Sequence, residues 1–88
     1  MVRIIMNGCN GHMGQVIAGL AAQDPEVEMA AGIDLEDRGL YQCPVFTDIT
    51  KCGVSADVMI DFSSAKATDS VLEYCRTSKL PLVLCTTG

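Results

Sequence analysis

Residues Asn7 to Gly14 read NGCNGHMG, with glycines at 8, 11 and 14. This triplet follows the apolar run VRIIM (Val2 to Met6) and opens a stretch of helical pattern, His12 to Gln23. A strand that turns through glycines into a helix constrains a fold strongly. The first glycine permits a tight turn with positive φ, and the third allows close packing of the helix on the strand. Gly11, lacking a Cβ, lets an anionic ligand approach the backbone closely. The amides of Gly11 to Met13 then face that ligand at the positive end of the helix. Without a ligand, the same triplet is an ordinary strand-to-helix turn.

The rest of the chain alternates strand and helix. VEMAAGID (Val27 to Asp34) reads as a second strand, and CPVFTD as a short third, with a weak helical turn near Ile49 to Cys52. ADVMIDF (Ala56 to Phe62) is a strong strand. Ser63 or Ser64 then caps a helix from about Ala65 to Ser78, with Ala67, Val71, Tyr74 and Cys75 as its apolar face. LVLCTTG (Leu82 to Gly88) closes as a final strand after Pro81. In the first helix, Met13, Val16, Ile17, Leu20 and Ala21 recur at helical spacing and predict its buried face. Asp24-Pro25 ends it. The expected fold is α/β: a Rossmann-type parallel sheet of order 3-2-1-4-5 with helices on both faces.

Composition narrows the function. The chain has 88 residues, enough for one domain with a thin core, and 49% of them are hydrophobic but only 5% aromatic. The net charge is −5 and no basic patch stands out, so neither nucleic acid nor a membrane is an expected partner. No apolar run reaches the ~18 residues of a membrane span, and a cytoplasmic location is expected. The five cysteines, 9, 43, 52, 75 and 85, are odd in number and lack a CxxC, which argues for reduced thiols. Cys9 with His12 is half of a zinc-ligand set without a second pair, so no metal is expected.

Asp34 completes a dinucleotide fingerprint: it ends the second strand 20 residues after Gly14, where it either binds an adenosine ribose or is a solvated loop carboxylate. A 2′-phosphate would be repelled by this carboxylate, and the next residue is Leu35, so NADH is expected over NADPH. Arg38 is the nearest cation and is able to swing in. His12 either contacts the adenosine phosphate side or remains a solvated first-turn histidine. The other ligand-side positions are strand ends. Phe62 either walls a nicotinamide pocket or fills the core. Thr86 and Thr87 either bind a carboxamide or ribose or simply end a strand. Asp61 reads as structural.

Three stretches together, GCNGHMG, ADVMIDFSSAKAT and VLCTTG, resemble the 4-hydroxy-tetrahydrodipicolinate (dihydrodipicolinate) reductase family, over essentially the whole chain. The family patterns are G-x-x-G-R-M-G, D-V-[VM]-I-D-F-[ST] and V-I-G-T-T-G. The resemblance implies that Gly8, Cys9, Asn10, Gly11, His12 and Met13 line the pyrophosphate and adenosine side, and that Asp34 holds the ribose. It implies that Phe62, Ser63, Cys85, Thr86 and Thr87 surround the nicotinamide. His12 stands where the family has Arg, Cys85 where it has Gly, and Ala65-Lys66 where a Pro is common. The implied activity is NAD(P)H-dependent reduction in lysine and diaminopimelate biosynthesis, giving tetrahydrodipicolinate. The substrate is a small cyclic dicarboxylate held by a further domain, and the parent is a homotetramer. These 88 residues are then expected to be the cofactor part, carrying no catalytic acid and inactive alone. Two other readings remain: an aspartate-semialdehyde or homoserine dehydrogenase type, and a non-catalytic dinucleotide sensor.

Overall fold

A computed structural model describes residues 1–62 and 68–85. Five parallel strands form one sheet: β1 (Val2–Asn7), β2 (Val27–Ile33), β3 (Val45–Phe46), β4 (Val58–Asp61) and β5 (Leu82–Leu84). Their order is β3-β2-β1-β4-β5, as the alternating pattern predicts. Two helices, α1 (His12–Gln23) and α2 (Thr68–Ser78), and a short 3-10 turn (Ile49–Lys51) complete the described elements. This is a Rossmann-like arrangement, and the last four residues of the central β1, Ile4 to Asn7, are buried.

The two faces of β1 carry separate cores. Ile5 joins Ala31, Ile33 and Met59 on one face, where Val71 and Cys75 of α2 pack. Met6 joins Cys9 and Ala18 of α1 on the other. Helices therefore cover both faces, as parallel sheets require. On α2, Val71 and Cys75 are buried and Tyr74 packs beside them, as expected. Ser63, Ser64, Ala65 and Ala67 lie outside the described residues.

The face of α1 differs from expectation. Gly14, Ala18 and Ala21 are its buried residues, and Ile17 is half-buried. Met13, Val16 and Leu20 stand exposed. The start of the helix runs so close to the turn before it that a Cβ on Gly14 would sit 2.8 Å from the Gly8 carbonyl oxygen. At that separation small residues fit beneath the helix and larger ones are turned outward.

The β1–β2 pairing contains one irregularity. Ile4 pairs with Met29 but Ile5 pairs with Ala31, so Ala30 is an extra residue in β2. Met29 and Gly32 consequently approach each other on the α1 side although they are three positions apart. Regular alternation would put them on opposite faces.

Candidate functional site at the carboxyl ends of the strands

The turn after β1 is built from backbone. Gly8 has φ 82, the left-handed region that a side chain disfavours. The amides of Gly8 and Cys9 both donate to the Ile33 carbonyl, at 2.7 and 3.3 Å, which ties the turn to the end of β2. The Gly11 amide donates to the Gly8 oxygen at 3.1 Å. The amide at Gly11 is therefore spent within the turn, which corrects the expectation that Gly11 to Met13 all present free amides. What the helix start offers an anion begins at His12 and Met13, both exposed. Gly11 is the N-cap residue and makes no side-chain cap bond.

Asp34 lies one residue beyond β2 and is half-buried. Its Oδ2 accepts from the Asn10 amide at 2.8 Å and its Oδ1 from the Leu35 amide at 2.7 Å. Each oxygen keeps a second lone pair for another donor. Asn10 is buried and works in three directions. Its amide binds Asp34, its Nδ2 donates to the Glu36 carbonyl at 2.8 Å, and its own carbonyl accepts from Gln15 Nε2 at 2.8 Å. The glycine turn, the acid after β2 and the first turn of α1 thus form one bonded unit. Arg38 donates from Nε to Glu36 Oε1 at 2.7 Å and so is engaged by Glu36.

Cys9 points away from this surface. It is fully buried, and a Cβ on Gly32 would lie 2.7 Å from its Sγ. Burial, then the Asp34 charge, push its thiol up to about 11. Its carbonyl accepts from the Tyr41 hydroxyl at 2.5 Å. A ligand would meet the backbone of Cys9, not its sulfur. Gly32 and Tyr41, which hold the turn from below, escaped the sequence reading. A glycine inside a strand is the signal that could have pointed to Gly32.

The other strand ends converge here. Asn7 Nδ2 donates to Asp61 Oδ1 at 3.1 Å, and both residues are buried. Asp61 is thus part of the frame, as expected. The Phe62 amide donates to the Asn7 carbonyl at 2.9 Å, and its half-buried ring packs against the cluster of Met6, Cys9 and Ala18. The Cys85 amide donates to the Asp61 carbonyl at 2.8 Å, and Cys85 itself is exposed. The structure therefore brings Gly8, Cys9, Asn10, Gly11, His12, Met13, Asp34, Phe62 and Cys85 to one end of the sheet. Ser63, Thr86 and Thr87 lie outside the described residues.

Residues 2–88 match the family described as dihydrodipicolinate reductase, N-terminus. The chain belongs to this family. A 4-hydroxy-tetrahydrodipicolinate reductase of Clostridium perfringens is 46% identical over 100% of this chain, which covers 35% of that protein. The enzyme of the same name from Clostridium tetani is 43% identical, with 100% of this chain and 34% of that one covered. The chain thus spans about a third of the length of these relatives. Among solved structures, the dipicolinate-bound dihydrodipicolinate reductase of Paenisporosarcina sp. TG-14 superposes with a TM-score of 0.85. That match has 24% identity and covers 100% of this chain and 38% of the other, so it bears on the fold.

Within this dihydrodipicolinate reductase N-terminal domain, the described residues include no group of three or more His, Cys, Asp or Glu that could hold a metal. No described helix is long and apolar enough to cross a membrane.

Proposed function

We propose that this chain is the dinucleotide-binding part of an NAD(P)H-dependent 4-hydroxy-tetrahydrodipicolinate reductase, acting in lysine and diaminopimelate biosynthesis. One observation carries the reading. Gly11 is exposed, has an ordinary φ of −70, and a Cβ there would meet the protein only at 3.4 Å. The fold itself has little need of glycine at that position. A pyrophosphate drawn against the helix start does need it. The N-cap without a side chain and the paired Asp34 carboxylate fit the same ligand.

In this reading the backbone from Gly8 to Gly11 and the amides of His12 and Met13 hold the pyrophosphate and adenosine side. Asp34 accepts from the ribose hydroxyls. Phe62, Ser63, Cys85, Thr86 and Thr87 border the nicotinamide. NADH is preferred over NADPH, because the ribose side is acidic. The hydride is supplied by the cofactor when it is bound. This chain's residues orient it; the sole histidine, His12, is at the adenosine end, so the 88 residues alone bind without turning over. The small cyclic dicarboxylate substrate and the homotetrameric assembly belong to a further domain, and the enzyme is cytoplasmic.

The test is calorimetric titration of NADH into the folded chain and into its Gly11→Ala variant. Saturable binding that weakens at least tenfold in the variant, with unchanged circular dichroism, is expected for close backbone approach. Equal binding by both would remove the phosphate from this turn.

A further inference from the structure

The loop after β2 carries three carboxylates, Asp34, Glu36 and Asp37, against one guanidinium, Arg38. Their arrangement is ordered. Asn10 Nδ2, on a residue only 8% exposed, holds the Glu36 carbonyl at 2.8 Å. Asp37 Oδ1 accepts from the Gly39 amide at 2.9 Å, and Gly39 turns the chain with φ 68. Glu36 Oε1 then takes Arg38 Nε at 2.7 Å. The hydrogen bond and charge of Glu36, and more weakly the charge of Asp34, reinforce the positive charge of Arg38. The other described cations lie elsewhere: Arg3 pairs with Glu28 at the start of β1, Lys51 ends the 3-10 turn, Arg76 is in the last turn of α2 and Lys79 follows that helix.

We propose that Glu36 is the residue that sets the preference against a 2′-phosphate, by occupying Arg38. The inference rests on the reading that Asp34 takes the adenosine ribose. A 2′-phosphate brings nearly two negative charges to a loop that already carries a net excess of carboxylates. Among the described residues of this loop it meets no free cation unless the Glu36–Arg38 pair opens. That pair is exposed, and such pairs are weak enough to be exchanged for a better partner. Glu36 thus acts as a graded bias, and its removal releases a guanidinium that Asp34 keeps nearby.

The test is a set of four dissociation constants for NADH and four for NADPH, from the chain as it stands, Glu36→Gln, Arg38→Ala and the double variant. Glu36→Gln is expected to raise NADPH affinity relative to NADH by roughly three- to tenfold, the range of a near-surface charge effect. The gain should shrink as salt is raised. It should vanish in the double variant, while Arg38→Ala alone leaves the ratio near its starting value. Normal NADH binding with an unmoved ratio in Glu36→Gln overturns the inference. So does a gain that survives loss of Arg38, because the effect would then be plain repulsion. If the unsubstituted chain binds neither dinucleotide, the cofactor reading fails and this inference fails with it.

Discussion

The Asn10 amide donates to the Asp34 carboxylate across 2.8 Å, joining the glycine turn after β1 to the acid after β2. A residue that reads as a ribose contact is therefore also a fastening of the phosphate turn. Asp34→Asn keeps one acceptor oxygen but loses the charge that strengthens both amide bonds. It should lower stability by about 1 kcal/mol, the difference between hydrogen bonds to charged and to neutral groups. It should weaken NADH more than NADPH, because the charge that repels a 2′-phosphate is gone. A thermal melt beside a binding titration checks this: an acid serving only the ribose would leave the melt unmoved.

Two glycines of α1 should respond oppositely to alanine. At Gly14 the new Cβ would meet Gly8 oxygen at 2.8 Å and the Cys9 Cα and oxygen at 3.0 Å, all backbone. Helix propensity favours alanine by about 1 kcal/mol, but overpacking against backbone costs about 1–3 kcal/mol. The clash wins, and Gly14→Ala should destabilise. At Gly19 nothing lies within 4 Å of the new Cβ. Gly19→Ala should therefore stabilise by about 0.5–1 kcal/mol. Urea unfolding of the two variants reads both signs.

Alkaline stability should reflect Cys9. Its thiol ionises near its ordinary 9.0 in the unfolded chain and about 11 in the folded one. Below pH 9 it is protonated in both states and has no pH effect. Between pH 9 and 11 the unfolded chain releases the proton first, so stability falls as pH rises. The slope from this group approaches 1.4 kcal/mol per pH unit. Burial raises the thiols of Cys43 and Cys75 and the Tyr41 hydroxyl as well, and they add to the decline. Melting from pH 8 to 11 should show a shallower fall for Cys9→Ala. In native alkylation at neutral pH, the exposed Cys85 should react before the buried Cys9, Cys52 and Cys75.

Much of this was legible locally. Val2 to Met6, the glycine turn and the helix to Gln23 announce themselves through strand-like apolar runs and helical spacing, and the five-strand order follows from their alternation. The packed face of α1 was not legible. Met13, Val16 and Leu20 outrank Ala18 and Ala21 in hydropathy, yet the alanines are buried. What decides is the distance between helix and turn, set by Gly14, and hydropathy does not encode distance. Nor does any local pattern announce that Tyr41 reaches the Cys9 carbonyl across 32 positions. Asn10 read as one loop residue among several. Its role became visible only when Asp34 and Glu36 were brought beside it.

The extra residue in β2 has a consequence for alignment. Because Ala30 is passed over, Asn7 faces Ile33 and the chain arrives at Asp34 one step early. Were Ala30 instead to pair with Ile5, the acid would move on by about 3.3 Å along the strand, past the reach of the Asn10 amide, while every ligand-facing side chain stayed intact. The address of the acid is thus written partly at a buried alanine, and a tally of site residues would not detect its loss.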